Sequence, residues 1–259
     1  MGIGDWAKTA LRFAAPVPQA ESFERYLFIG PHPDDIEIGA GATAAKLAAT
    51  GKQVSFLVCM DGRYGLENAP AGTTPEELAV LRKEEAIASA RLLGVSDIHF
   101  LELCDGGAYD TDALLSGMAR VIGKVQPQIL FAPDPDATSE CHADHINTGE
   151  AAKKLAFFAP FEEIMAGYGA SSAKVQAIAF YMTARPNRFV KTLGLMGRQR
   201  AAILCHKTQF TAELPAYKDI ALYLRLRAVD FGLRSLYGHA EGFRVLGRTQ
   251  LHCLPEAGE

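Results

Sequence analysis

The sequence has 259 residues, of which 49% are hydrophobic and 22% charged, and its 26 basic and 30 acidic residues give a net charge of −4. This composition is typical of a globular chain and excludes a disordered or fibrous one. The small acidic excess argues against a protein that binds nucleic acid through a basic surface.

The N-terminal stretch and the cysteines bear on where the protein acts. Charges at Asp5, Lys8 and Arg12 interrupt the apolar run that a secretory signal needs. No segment has the roughly 20 consecutive apolar residues of a membrane helix. The cysteines form no CxxC pair, which favours free thiols; they are Cys59, Cys104, Cys141, Cys205 and Cys253. We therefore expect a cytoplasmic protein without membrane insertion.

Short apolar runs alternate with helical stretches along the chain. The predicted strands are, in order, Tyr26–Ile29, Gln53–Cys59, Asp97–Leu101, Gln128–Phe131, Lys174–Phe180 and Phe243–Leu246. The predicted helices are Gly41–Thr50, Pro75–Leu93, Thr111–Val125, His145–Phe158, Arg198–Cys205 and Ala216–Leu233. Thr74 is expected to cap the second helix, and Gly94 to end it.

Repeated strand–helix–strand units predict an α/β fold in which a mostly parallel, Rossmann-like sheet lies between two helical layers. No low-complexity linker divides the chain, so we expect a single domain over residues 1–259. The glycines at Gly39 and Gly41 raise the alternative of a dinucleotide site, but the PHPDD insertion separates them from the first strand, which disfavours it.

Acidic and histidine side chains follow four consecutive predicted strands. They are His32, Asp34 and Asp35 after the first strand, Asp61 after the second, Asp105 after the third, and Asp134, Asp136, His142, Asp144 and His145 after the fourth. Ligands of such sheets bind at the carboxyl ends of the strands. Since unpaired carboxylates are costly to gather in one place, we expect a cation to balance them there.

His32, Asp35 and His145 are the candidate metal ligands. His32 and Asp35 lie about one helical turn apart where a strand gives way to a helix, so both side chains can face one point. Two imidazoles and one carboxylate leave an open coordination position and suit a catalytic zinc ion. The same set binds Fe²⁺ in non-haem oxygenases, so ligand type alone does not fix the metal.

Three further residues of the two clusters are candidate catalytic groups. Asp34 points away from its neighbour Asp35 and is placed to accept a proton as a general base. His142 is placed to donate a hydrogen bond or proton to an oxyanion, with Asp144 orienting its imidazole. Taken singly, HPDD is better explained as an acidic helix start, and HxDH as surface polarity. Their combination at two strand exits favours a metal site.

The segments YLFIGPHPDDIEIGAGATAAKL and ECHADHINTGEAA closely resemble the HPDD and HxDH motifs of the LmbE-like, or PIG-L, de-N-acetylase family. MDGRYG, LRKEEAIASARLLGV, RAAILCHKTQF and GHAEGFRVL resemble further family elements in the same order, so that the likeness spans residues 26–246. The resemblance implies a zinc-dependent deacetylase of an N-acetylglucosamine-type amino sugar. It also implies that several relatives are oligomers, and we expect a homo-oligomer here.

Residue by residue, the resemblance places the zinc ligands at His32, Asp35 and His145 and the general base at Asp34. It gives His142 the role of stabilising the oxyanion or protonating the amine, with Asp144 as its orienting partner. The sequence departs from the common family pattern at Ile36, where many relatives have glutamate, and at Pro31, where alanine is common.

The resemblance also implies that Arg82 and Asp105 hold sugar hydroxyls. For Arg82 the alternative is a surface ion pair with Glu85. His206 is expected either to line the pocket or to cap a helix, and the loop that carries Tyr64 is a candidate cover for the substrate.

Two other functions stay open at this point. One is a hydrolase of another amide, such as a thiol-sugar conjugate or an acylated antibiotic. The other is a non-catalytic sugar-binding relative, which the intact His32, Asp35 and His145 argue against.

Overall fold

The computed structural model describes Ala10 and residues 13–252. The strands are β1 Arg25–Gly30, β2 Gln53–Met60, β3 Asp97–Leu103, β4 Ile129–Pro133, β5 Ala177–Tyr181, β6 Arg188–Lys191 and β7 Ala240–Gly247. The helices are α1 Asp35–Ala49, α2 Pro75–Leu93, α3 Thr111–Val125, α4 Ala143–Phe158, α5 Glu162–Gly167, α6 Met196–Ile203 and α7 Pro215–Ser235, with a 3₁₀ turn at Leu66–Asn68. The predictions for Asp5, Lys8, Arg12 and Cys253 lie outside the described residues.

The described strands form one sheet in the order β3-β2-β1-β4-β5-β7-β6. All pairs from β3 to β5 are parallel, and β7 runs antiparallel to both of its neighbours. The predicted mostly parallel α/β sheet is therefore confirmed. Strand β1 has β2 on one side and β4 on the other, so the direction of strand succession reverses there, which is where such sheets bind ligands.

Side chains of β1 alternate between the two faces of the sheet, as a strand requires. Tyr26 and Phe28 enter a core with α1, α2 and α6. Leu27 and Ile29 enter a second core with α3 and α4. Both faces of the central strands are thus covered, which explains why β1 and β4 are almost wholly apolar and confirms the three-layer arrangement.

Helix α1 begins at Asp35, well before the predicted start at Gly41, and kinks at Ala40, where φ is −151° and ψ is 15°. The kink frees the backbone N–H groups of Ala42 and Thr43, and the Glu241 carboxylate accepts both at 3.2 and 2.7 Å. Gly39 packs against the ring of Tyr181, and an added Cβ would lie 2.2 Å from that ring. The close approach of α1 to Tyr181 therefore explains why position 39 is a glycine.

Helix α2 has its predicted bounds and caps. The Thr74 hydroxyl accepts from the Glu77 N–H, the Glu77 carboxylate accepts from the Thr74 N–H, and Gly94 ends the helix at φ 91°. The short elements α5 and β6 were not predicted, since neither is long enough to show a clear apolar period. None of the helices within residues 13–252 combines the length and apolar character needed to cross a bilayer.

Candidate active site

Strands β1 and β4 bring the two sequence motifs together. The chain leaves β1 through His32 and enters α1 at Asp35, while the chain that leaves β4 starts α4 with His142 as its N-cap. Because β1 and β4 are parallel neighbours, both motifs reach the same edge of the sheet. Residues more than a hundred positions apart therefore meet in one cluster.

His32, Asp35 and His145 form the predicted metal-ligand group. The Asp35 Oδ2 atom lies 3.2 Å from Nδ1 of His32 and 3.5 Å from Nε2 of His145. One donor atom from each of the three residues lies within 4.8 Å of the others. Two imidazole nitrogens and a carboxylate oxygen at this spacing suit a divalent cation and leave room for a further ligand.

Asp144 contacts this group through the ring of His32. Its carboxylate accepts from Nε2 of His32 at 2.9 Å and from the N–H groups of Gly106 and Gly107, both at 2.8 Å. Such a carboxylate fixes the ring of a metal-binding histidine. The Asp144 carboxylate lies 3.9 Å from Nδ1 of His142, the ring it was predicted to orient, so its principal side-chain partner is His32.

A second group, His32, His142 and Asp144, also has donor atoms within 4.8 Å of one another. It fits an ion less well, because both oxygens of Asp144 are already bonded to protein donors. In the first group, Asp35 bonds its partners through a single oxygen, Oδ2. The geometry thus favours His32, Asp35 and His145.

The carboxylates around His32 favour positive charge. Burial alone would lower the pKa of His32, but its hydrogen bonds to Asp144 and Asp35 raise that pKa to about 10. Burial likewise raises the pKa of Asp144, yet the bonds from His32 and the backbone N–H groups lower it to about 2. A bound cation matches this electrostatic environment.

Asp34 has a different partner from its neighbour Asp35: it accepts from Arg82, whereas Asp35 faces His32. Its φ of 122° lies in a region that non-glycine residues seldom adopt. Burial raises the pKa of Asp34 to about 6, although the charge of Arg82 opposes the rise. A carboxylate whose pKa lies near neutral pH suits a general base.

Arg82 is 4% exposed and reaches inward from α2. It donates to Oδ2 of Asp34 at 3.0 Å and to the carbonyl oxygens of Pro33 and Gly62 at 2.6 and 3.0 Å. The alternative of a surface pair with Glu85 is wrong, because the Glu85 carboxylate accepts from Thr208 instead. Arg82 therefore fixes Asp34, and its contact with substrate stays a prediction.

A cavity of about 310 Å³ opens beside these residues. Its lining includes His32, Asp34, Tyr64, Arg82, Asp105 and His142. Asp105 is 7% exposed, and its Oδ1 has no hydrogen-bond partner among the described residues. Buried polar atoms are seldom left unpaired, and the contact of Asp105 with a sugar hydroxyl stays a prediction.

The expectation that one cation balances every strand-exit acid is wrong for three of them. Asp61 accepts from Nε of Arg63 at 2.8 Å. Asp134 and Asp136 both accept from Arg244, at 3.0 and 2.8 Å. Asp61 thus has its own guanidinium, whereas Asp134 and Asp136 share one, and the sequence spacing alone reveals neither arrangement.

His206 does not line this cavity. It is fully buried, and its Nε2 is 3.6 Å from Oε1 of Glu37, which also accepts from the Ser89 hydroxyl. Gln209, from the same sequence element, donates to the Gly65 carbonyl at 2.7 Å and so ties down the loop that carries Tyr64. The sequence signal for both was the HKTQ segment, whose long-range partners could not be read from it.

Comparison with known sequences links the chain to one family. The profile described as "PIG-L: GlcNAc-PI de-N-acetylase" matches residues 27–156. Diacetylchitobiose deacetylase of Thermococcus kodakarensis is 34% identical over 90% of this chain and 87% of its own length. A 1D-myo-inositol 2-acetamido-2-deoxy-alpha-D-glucopyranoside deacetylase of Kineococcus radiotolerans is 28% identical over 68% of this chain and 56% of its own length.

Solved structures agree with this link. N,N'-diacetylchitobiose deacetylase from Pyrococcus horikoshii superposes with a TM-score of 0.85 at 29% identity, covering 98% of this chain and 96% of that one. GalB, a 4-carboxy-2-hydroxymuconate hydratase from Pseudomonas putida, superposes with a TM-score of 0.69 at 21% identity, covering 86% of this chain and 96% of that one. Because the latter likeness is one of fold alone, the reaction has to be argued from the site residues.

Proposed function

The chain belongs to the PIG-L family of GlcNAc-PI de-N-acetylases, and from this membership we propose that it is a zinc-dependent deacetylase of an N-acetylglucosamine-type amino sugar. The observation that carries the proposal is the convergence of His32, Asp35 and His145 next to a cavity that His32 and Asp34 line. The relatives from Thermococcus and Kineococcus are named for acetylated amino sugars of this type.

His32, Asp35 and His145 would hold the ion. A zinc ion in such a site polarises an amide carbonyl and lowers the pKa of water toward about 7. The electrostatic environment of His32 supports a cation there, and Asp144 keeps the ring in place. Fe²⁺ accepts the same ligand types, so the identity of the ion as zinc is a separate part of the proposal.

Asp34 and His142 would move the protons. Amide hydrolysis adds the hydroxyl of water to the acetyl carbon and a proton to the nitrogen, so that acetate and an amine separate. Asp34, held by Arg82, accepts the proton that water loses and gives it to the nitrogen as the C–N bond breaks. The His142 imidazole, half exposed at the cavity wall, donates a hydrogen bond to the carbonyl oxygen as its charge grows.

Asp105 and Arg82 would position the sugar. The unpaired Oδ1 of Asp105 is suited to a sugar hydroxyl, and Arg82 reaches the cavity between Asp34 and Gly62. We include in the proposal that residues 1–259 form one domain and that the protein acts in the cytoplasm. The continuous sheet from β3 to β6 supports the first of these statements.

The test is acetate release from a panel that contains N,N'-diacetylchitobiose, N-acetylglucosamine and an N-acetylglucosaminyl inositol. We expect equimolar acetate and free amine from at least one member, loss of both after chelation, and recovery on adding zinc. A metal-loaded protein that releases no acetate from any member would contradict the proposal. Release from other acylated amines alone would assign it to a different amide.

A further inference from the structure

Helix α1 consists of two pieces that meet at the kink at Ala40. The first piece runs from Asp35 to Gly39, so it is little more than one helical turn long, and it begins with the candidate ligand Asp35. A single turn does not hold itself together in water, because ordering its backbone costs more free energy than its hydrogen bonds return. The direction of this first piece therefore depends on contacts from other elements.

Gln199 of α6 joins the two pieces. Its Nε2 donates to the carbonyl oxygen of Glu37, in the first piece, at 2.9 Å and to Oε1 of Glu241, on β7, also at 2.9 Å. Glu241 in turn accepts from the N–H groups of Ala42 and Thr43, which belong to the second piece. One side-chain amide thus connects the piece before the kink to the piece after it.

The position of Gln199 requires a group that donates twice. Both of its partners are oxygen acceptors, the carbonyl of Glu37 and the carboxylate of Glu241. A primary amide has two N–H bonds and can serve both, whereas a carboxylate at this place would only accept. Gln199 is 4% exposed, and a Cβ added at Gly41 would lie 3.2 Å from its Cγ, so the side chain is closely enclosed.

Two further contacts hold the first piece against its neighbours. The Ser89 hydroxyl of α2 donates to the Glu37 carboxylate at 2.7 Å. The Tyr181 ring packs against Gly39, and its hydroxyl donates to the carbonyl oxygen of Ile29 at 2.8 Å. Neither of these hydrogen bonds involves the second piece. They fix where the first piece lies, and the bond from Gln199 fixes its direction relative to the rest of α1.

The direction of the first piece determines where the Asp35 carboxylate lies. Asp35 and Glu37 belong to the same turn, and Oδ2 of Asp35 is 3.2 Å from Nδ1 of His32 and 3.5 Å from Nε2 of His145. Neither histidine is part of α1. A change in the direction of the first piece would therefore move Asp35 relative to both imidazoles at once.

We propose that Gln199 is a positioning residue of the metal site, which holds the first piece of α1 to Glu241 and so fixes the place from which Asp35 meets the ion. The inference rests on the proposed function, since it takes His32, Asp35 and His145 as the ligands. Gln199 does not line the catalytic cavity, so it acts through the backbone of Glu37 and not on substrate.

Zinc affinity of Gln199→Met, measured by competition with a chromophoric chelator, tests the proposal. Methionine has a similar length but donates no hydrogen bond, so the link between the two pieces is lost. Loss of support for a metal ligand costs about 10–100-fold in affinity, and we expect a loss of about tenfold or more. Far-UV circular dichroism should stay unchanged.

Gln250→Met is the matched control. Gln250 is 8% exposed, donates to the carbonyl oxygen of Ala15 at 2.7 Å and accepts from the N–H of Gly247 at 3.1 Å. It is therefore another buried glutamine that bridges two backbone groups, but neither group belongs to α1. Its replacement should lower the urea concentration at which the protein unfolds and leave zinc affinity unchanged.

Cobalt provides a second measurement, because the visible absorption of Co²⁺ depends on the arrangement of its ligands. At saturating cobalt, Gln199→Met should change the intensity or position of these bands. Gln250→Met should give the wild-type spectrum. A loss of stability alone would not change the spectrum of folded, fully loaded protein, so this readout separates positioning from a general structural role.

Glu241→Gln breaks the same link from its other end and serves if Gln199→Met does not fold. The new amide would turn its N–H bonds toward those of Gln199, or lose the bonds from Ala42 and Thr43. Zinc affinity should fall here too. Since both substitutions remove one link, the double variant should bind zinc no more weakly than Gln199→Met.

The outcomes separate this inference from the proposed function. A wild type that binds zinc, together with a Gln199→Met variant of equal zinc affinity and equal cobalt spectrum, would overturn the positioning role alone. Equal losses in Gln199→Met and Gln250→Met, or fully additive losses in the double variant, would also overturn it. A wild type that binds no zinc would contradict the proposed metal site, and the positioning role with it.

Discussion

The Asp144 carboxylate accepts a hydrogen bond from Nε2 of His32 at 2.9 Å, while Nδ1 of the same ring faces Asp35 at 3.2 Å. The two residues come from the exits of different strands, and Gly106 and Gly107 from a third exit hold the carboxylate. The orientation of the His32 ring therefore depends on three separate loops at the edge of the sheet.

Replacing Asp144 by asparagine should weaken metal binding. Asn keeps the size of the side chain but loses the charge that orients His32, and loss of such support costs about 10–100-fold in metal affinity. Competition with a chromophoric chelator measures the change. Asp219→Asn, at an exposed site on α7, is the control; equal affinity of both variants would refute the role given to Asp144.

Replacing His145 and His142 separately should distinguish the two candidate ligand groups. His145→Ala removes an imidazole whose Nε2 lies 3.5 Å from Asp35, so elemental analysis should find little bound metal. His142→Ala should keep its metal and lose most activity, because His142 lies at the cavity wall. The opposite pattern of metal content would place the ion between His32, His142 and Asp144.

Replacing Arg82 by lysine should reduce kcat more than it raises KM. Lysine cannot hold Asp34 and the carbonyl oxygens of Pro33 and Gly62 at once. Misplacing a catalytic group by about 1 Å costs about 10²-fold in rate, and metal content should not change. Arg91→Lys, exposed on the same helix, is the control. A raised KM with normal kcat would show that Arg82 mainly binds the sugar.

Local signals in the sequence predicted helix α2 to the residue, since Thr74 and Gly94 are strong end signals. These signals placed the start of α1 too late, because Gly39 and Gly41 interrupt a helical pattern. The N–H groups that the kink leaves without helical partners bond to Glu241, about two hundred positions away. Similarly, the approach of His32, Asp35 and His145 to one another was predictable from HPDD and HxDH at neighbouring strand exits. The pairing of Asp134 with Arg244 was not, because it depends on the antiparallel strand β7.

Glu241 should make stability depend on pH. Burial raises its pKa to about 7 from 4.5, against the hydrogen bonds from Thr43, Ala42 and Gln199. As pH rises from about 4.5 to about 7, the unfolded chain releases this proton before the folded one does, so the folded state loses stability.

Urea unfolding of the wild type and Glu241→Gln across this pH window measures the effect. The unfolding free energy of the wild type, relative to the variant, should fall by about 3 kcal/mol between the two ends. Glu163→Gln, at an exposed site on α5, should show no such change relative to the wild type. A constant difference between the wild type and Glu241→Gln would contradict the burial argument.

The central claim, that Asp34 acts as the base of a metal-dependent deacetylase, is tested most directly by Asp34→Asn. Asparagine tolerates the positive φ at this position and keeps the side-chain shape, so the fold should persist. Acetate release and metal content are measured on the same sample. The account predicts wild-type metal content and a kcat lower by about 10²–10⁴-fold; near-normal turnover with the metal retained would contradict it.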